Sequence, residues 1–176
     1  RLKAAKVIRS HSYRQLAKMN KDTLQKAIEN LQIQDLYVRN VNAQCSDGFD
    51  PKYSNLDGCI IQSKHLVTKS ETIQNDDGDL LFRVFVEVGV KWVKEESEDA
   101  DMLALIESEF VAEYLLKAEI GPECLDEFAL NNVSYHVWPY WRELLSAQCE
   151  RMRLPRILLP MTQIAQNQDD LKSNPK

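Results

Sequence analysis

Between Leu80 and Val93 the side chains alternate with a two-residue rhythm: Phe82, Val84, Val86, Val88, Val90 and Trp92 fall on one face, and Arg83, Glu87 and Lys91 on the other. An extended strand with one buried and one wet face separates residues in this way, whereas a helix would spread them around its circumference. The rhythm returns over 102–117, where Met102, Ala104, Ile106, Phe110, Ala112, Tyr114 and Leu116 oppose Glu107, Glu109, Glu113 and Lys117. Residues 33–45 and 59–73 are rich in β-branched and aromatic side chains, and the loop "SDGFDPKYSNLDG" and the turn "QNDDGD" punctuate them. Four consecutive strands with one polar face each predict an antiparallel sheet.

After the breaker Gly121-Pro122 the period becomes helical. Leu125, Phe128, Ala129, Val133, Val137, Trp138, Trp141, Leu144, Leu145 and Met152 form a broad apolar stripe, with Pro139 expected to kink the helix or start its second half and Pro155 to end it. Before the strands, a looser helical period runs from Leu16 to Leu31, with Asp22 or Thr23 as candidate caps. The predicted class is α+β: a four-stranded antiparallel sheet with a long kinked C-terminal helix on one face and an N-terminal helical arm. The expected division is a basic helical arm over 1–32, a main domain over 33–160 and a disordered polar tail over 161–176.

The chemistry expected of an enzyme is missing. The chain's five glycines form neither a G-x-G-x-x-G nor a G-x-x-x-x-G-K phosphate loop, and there is no G-x-S-x-G elbow. Cys45, Cys59, Cys124 and Cys149 make no C-x-x-C pair, and His11, His65 and His136 no H-x-x-x-H, so reduced thiols are expected, with no metal and no cofactor. His136 beside Trp138 reads as a structural histidine, and no catalytic residue is assigned. No apolar run approaches the roughly 20 residues of a membrane span, and residues 1–21 lack the pattern of a secretory signal, so a cytoplasmic chain is expected.

Charge is distributed unevenly. Residues 1–34 hold eight Lys and Arg against two Asp and Glu, while the remainder holds fourteen against twenty-five. An acidic body repels a polyanion, which argues against nucleic-acid binding. The run from Glu95 to Glu113 has eight acidic residues and no Lys or Arg, so its sheet face is expected to need a basic partner or the arm itself. Trp138, Tyr140 and Trp141 fall within four helical positions and cannot all face one sheet.

The segment "WPYWRE" (138–143), followed by "RMRLPRILLP" (151–160), resembles the signature stretch of the SecB protein-export chaperones, and "IQDLYVRNV" (33–41) is similar to that family's first strand. The resemblance implies an ATP-independent holdase, assembled as a homotetramer from a dimer of dimers, that binds unfolded or nascent polypeptides in apolar grooves. The groove residues it implies are Trp138, Tyr140, Trp141, Leu144 and Leu145, with Trp92 and Phe110 from the sheet. Family members hand clients to the SecA motor through an acidic sheet face, to whose fourth-strand part Leu105 and Glu107 correspond; Glu109 and Glu113, on the same strand face, complete the candidate partner-binding acidic face. Asn40 and Gln44 stand where that face carries acids in its first strand, the tail after Pro160 is short, and the N-terminal arm is long. These departures resemble the SecB-like chaperones of toxin–antitoxin modules, which protect an aggregation-prone antitoxin. A rival expectation is an oligomeric adaptor whose aromatics are consumed by subunit contacts, leaving the acidic face to bind a partner.

Overall fold

The computed structural model describes the backbone of residues 6–12 and the whole of residues 20–94 and 101–163. Its elements are β1 (Lys6–Ser12), α1 (Lys21–Asn30), β2 (Leu31–Cys45), β3 (Ile60–Gln74), β4 (Leu80–Val93), β5 (Met102–Leu116), α2 (Pro122–Asn131) and α3 (Val133–Arg151). The sheet is antiparallel throughout, in the order β1-β3-β4-β5-β2.

The four expected strands are β2 to β5. β1 adds a fifth, pairing antiparallel with the second half of β3 from Lys6 opposite Gln74 to Ser12 opposite Lys69. The arm therefore contributes a strand as well as a helix. α1 starts at Lys21, and its N-cap is Asn20, whose Oδ1 accepts from the backbone N–H of Asp22 at 3.1 Å and Thr23 at 3.4 Å. Asp22 and Thr23 are thus the capped residues instead of the caps. The expected helical residues 16–19, the acidic turn 95–100 and the tail beyond 163 lie outside the described residues.

The alternation in β4 sets the core. Phe82, Val84, Val86, Val88, Val90 and Trp92 are all essentially inaccessible, and Ala104, Ile106, Phe110, Ala112 and Tyr114 of β5 continue the same layer. α2 and α3 cover it with Leu125, Phe128, Val133, Val137, Trp138, Trp141 and Leu145.

The long helix is broken at Asn132, where φ and ψ are −125° and −41°, and not at Pro139. Pro139 lies on the exposed face of α3, so the carbonyl it leaves unbonded in the preceding turn is one that water can reach. α3 ends in a Schellman arrangement: Leu154 N–H donates to Cys149 C=O at 2.9 Å and Arg153 N–H to Glu150 C=O at 3.2 Å. Arg153 takes φ of 58° there, and Pro155 follows. That turn sends residues 155–163 back along the helix as an extended tail. Among the described residues, no helix is long and apolar enough to cross a membrane.

Candidate functional site

Helix periodicity placed three aromatic side chains in four positions, and packing separates them. Trp138 and Trp141 face the sheet and are buried, whereas Tyr140 is 56% exposed. Trp92, Phe110 and Leu145 are likewise core residues, at 1% exposure or less, and Leu144 is half-buried. Five of the seven expected groove residues, Trp92, Phe110, Trp138, Trp141 and Leu145, therefore hold the sheet and helix together and leave no surface for a second chain. The reason is that their period coincides with that of the core-facing stripe, which sequence alone cannot divide between inner and outer use.

Accessible surface of mixed polarity lies one layer out. An open groove of about 530 Å³ runs between the outer face of α3 and the returning tail; the apolar Pro139, Ala147, Ile157 and Leu159 share its lining with the polar and charged Arg142, Glu143, Ser146, Glu150 and Arg156. Tyr140, Leu158 (89% exposed) and Met161 (75% exposed) stand on the same two elements. The tail is held in place by Trp138, whose Nε1 donates to Pro160 C=O at 2.9 Å, and by the buried Leu154. Trp138 also stacks on His65 of β3, with ring centroids 5.0 Å apart and planes inclined by 20°. A single core side chain thus joins sheet, helix and tail. The sequence signal for this arrangement was "RILLPM": apolar residues in an extended, Pro-bounded segment.

Two histidines serve this layer, His65 buried and His136 half-buried. His65 Nε2 lies 3.2 Å from Ser134 Oγ, and burial pushes its pKa down to about 4. His136 Nδ1 lies 2.8 Å from Tyr114 Oη, and burial lowers its pKa too, while burial raises that of Tyr114. All four groups are neutral near pH 7 and pin α3 to β3 and β5. Among the described residues no group of three or more His, Cys, Asp and Glu is placed to hold a metal ion.

On the opposite face of the sheet, Leu105, Glu107, Glu109 and Glu113 line up along β5 as expected, all partly exposed. The carboxylates are matched by cations of β2, β3 and β4. Glu109 pairs with Arg39 at 2.8 Å, Glu107 with Lys64 at 3.1 Å, and Glu113 lies 3.4 Å from Arg83 Nε. Lys64 bridges to Glu87 as well, at 3.1 Å; burial would lower its pKa, but the two carboxylates outweigh that and hold it above the ordinary lysine value. The sheet itself therefore supplies the balancing charge that a partner or the arm was expected to bring. Strand pairing, invisible along the sequence, is what brings these charges together.

The centre of this face was missed by pattern reasoning. Phe85, on the polar side of β4, is buried beneath the cations of Lys69, Arg39 and Arg83, which lie 4.2, 5.5 and 5.5 Å from its ring centre. Arg83 also pairs with the buried Glu71 at 3.0 Å and donates to the hydroxyl of Tyr37. Cations packed over an aromatic face make a lid, not an open apolar patch.

An antiparallel sheet covered on one face by a broken helix is a fold this chain shares with a solved SecB-like chaperone. In particular, the chain superposes on the SecB-like chaperone Rv1957 of Mycobacterium tuberculosis, solved in complex with a ChAD peptide from the HigA1 antitoxin. The TM-score is 0.63 at 16% identity, over 81% of this chain and 98% of that one. A Streptococcus agalactiae protein of unknown function aligns at a TM-score of 0.36 and 8% identity, over 74% of this chain and 96% of that one. No family model and no curated protein matches the sequence.

Proposed function

We propose that this protein is an ATP-independent holdase that binds an unfolded or aggregation-prone polypeptide, with an antitoxin as the dedicated client. The observation that carries this reading is the groove between α3 and the tail, flanked by the exposed Tyr140, Leu158 and Met161, on a fold shared with a chaperone solved with an antitoxin peptide. Capture of many sequences requires weak apolar contacts repeated along an extended chain, and holding requires no catalytic group. On this reading the protein works in the cytoplasm as a dimer of dimers, and Tyr140 and Leu144 are the members of the aromatic helix that remain available to a client.

Delivery of clients to SecA is the less favoured route. The carboxylates of Glu107, Glu109 and Glu113 are already ion-paired within the sheet, which weakens the electrostatic attraction such a dock would use. The adaptor reading is weakened by the same pairing.

The test is suppression of aggregation of a reduced, unfolded substrate by the full chain without nucleotide. Suppression at near-stoichiometric protein is expected, together with a loss of at least five-fold in substrate affinity for Tyr140→Ala/Leu158→Ala at unchanged thermal stability. No suppression, or an unaffected double variant, overturns the reading.

A further inference from the structure

We propose that the outer edge of β2 pairs antiparallel with β2 of a second copy of this chain, in a register that sets Tyr37 opposite Tyr37 on a two-fold axis. This surface is separate from the groove and stands independently of the holdase reading.

β2 is the last strand of the sheet, and no strand among the described residues lies beyond it. It runs for fifteen residues and contains no Pro and no Lys, two residues that commonly blunt an open edge. Its apolar side chains on the helix-covered face stay accessible. Ile33, Val38 and Val41 are 45%, 40% and 40% exposed, although the β5 residues opposite them, Tyr114, Phe110 and Ser108, are buried. Half-wet apolar side chains beside an unpaired backbone make a surface that one more strand would dry.

The order of residues about Tyr37 identifies that strand. Read outward in both directions, Leu31 to Ala43 is a chemical palindrome. Leu36 matches Val38, Ile33 matches Val41 and Leu31 matches Ala43, all apolar. Gln34 matches Asn40 and Gln32 matches Asn42, all amides. The remaining pair, Asp35 and Arg39, carries opposite charges. Two such strands meeting antiparallel about Tyr37 set apolar against apolar, amide against amide and carboxylate against guanidinium. A shift of one residue would set Ile33 against Asn40 and Gln32 against Val41, and a shift of two would remove the charge match. Faces agree as well. Gln34 and Arg39, on either side of the centre, are skipped in the register with β5, and as a result Ile33, Leu36, Val38 and Val41 all lie on the helix-covered face.

The charges are placed for this use. Among the described residues Asp35 has no cation partner in its own chain, and its Oδ1 accepts from the backbone N–H of Leu36 at 2.8 Å. Arg39 sets Nη1 on Glu109 at 2.8 Å while its side chain stays 55% exposed, which leaves Nη2 for Asp35 of a second copy. Because the axis relates the same edge in both copies, the pairing closes at two and leaves no β2 edge to propagate.

The experiment is sedimentation velocity of the full chain over a concentration series, for the wild type, Asp35→Arg, Arg39→Asp and an equimolar mixture of the two variants. The wild type should self-associate through this edge. Each single variant sets like charges across the axis and should associate roughly ten-fold more weakly. The mixture should recover, because one copy then carries both cations and the other both carboxylates. Disulfide crosslinking reads the register without altering the charges. In a Cys45→Ser/Cys59→Ser background, Tyr37→Cys should crosslink to its own copy on mild oxidation, whereas Val41→Cys, which meets Ile33, should not. Near-UV circular dichroism checks that each variant is folded; if Arg39→Asp is not, the crosslinks decide. A monomeric wild type, single variants that associate like the wild type, a mixture of folded variants that does not recover, or crosslinking by Val41→Cys in place of Tyr37→Cys overturns the inference. A monomer whose β2 amides are protected from exchange only by added unfolded polypeptide also overturns it, in favour of a client strand at this edge.

Discussion

The indole Nε1 of Trp138 donates to the carbonyl of Pro160 across 2.9 Å, from a side chain that is itself buried between α3 and β3. This bond makes the tail part of the folded unit. Trp138→Phe keeps the stacking on His65 and removes the donor, so a loss of about 1 kcal/mol is expected in urea unfolding. Residues 155–163 should also become faster in amide exchange and more readily cleaved by trypsin at Arg156. Unchanged exchange in the tail would show that Leu154 alone anchors it.

Trp141 and Leu145 should behave as core and not as ligand-binding residues. Trp141→Ala removes a side chain that is 1% exposed and is expected to cost about 3–5 kcal/mol, with Leu145→Ala at about 2–4 kcal/mol. Tyr140→Ala should change stability by less than about 0.5 kcal/mol. Denaturation midpoints for the three variants decide the matter, and a neutral Trp141→Ala would contradict the packing.

Lys64, Gly89 and Glu107 sit opposite one another on three adjacent strands, and Lys64 reaches Glu107 across the glycine at 3.1 Å. A Cβ on Gly89 would lie 2.9 Å from Glu107 Cγ, too close to tolerate without moving it. Gly89→Val is expected to displace Glu107 and lose about 1–3 kcal/mol, the usual cost of overpacking. Gly89→Val combined with Glu107→Ala should recover most of that loss, which a double-mutant cycle measures.

His65 makes stability depend on pH. Its ordinary pKa of 6.5 applies to the unfolded chain, while burial lowers it to about 4 in the fold. Below about pH 6.5 the unfolded state therefore takes up a proton that the folded state refuses. Stability falls as pH drops from about 6.5 to about 4, by about 3 kcal/mol in total, and then levels off with respect to this group. His136, lowered by burial in the same direction, adds to the effect. Urea midpoints at pH 7 and pH 4.5 should differ less in His65→Gln than in the wild type; an equal difference would locate the sensitivity elsewhere.

Much of the fold was legible because burial imposes a period on the sequence. The alternation from Phe82 to Trp92 can satisfy only a half-buried strand, and the stripe from Leu125 to Met152 only a helix lying on its apolar face. β1 was not legible, because an edge strand of seven residues carries too few positions to set a period. The break at Asn132 was not legible either, because a helical stripe continues in phase across it.

What the sequence determined by itself was local: element type, chain order, the apolar face of each strand and the surplus of aromatic residues on the last helix. What only the tertiary structure decided was use. Packing turned Trp138 and Trp141 into core and left Tyr140 outside, and strand pairing set Arg39, Lys64 and Arg83 against the acids of β5. Return of the tail along α3 created a groove between the helix and the segment that follows it. Periodicity records which side of an element is dry, but which partner dries it is fixed by non-local contacts that no window of sequence contains.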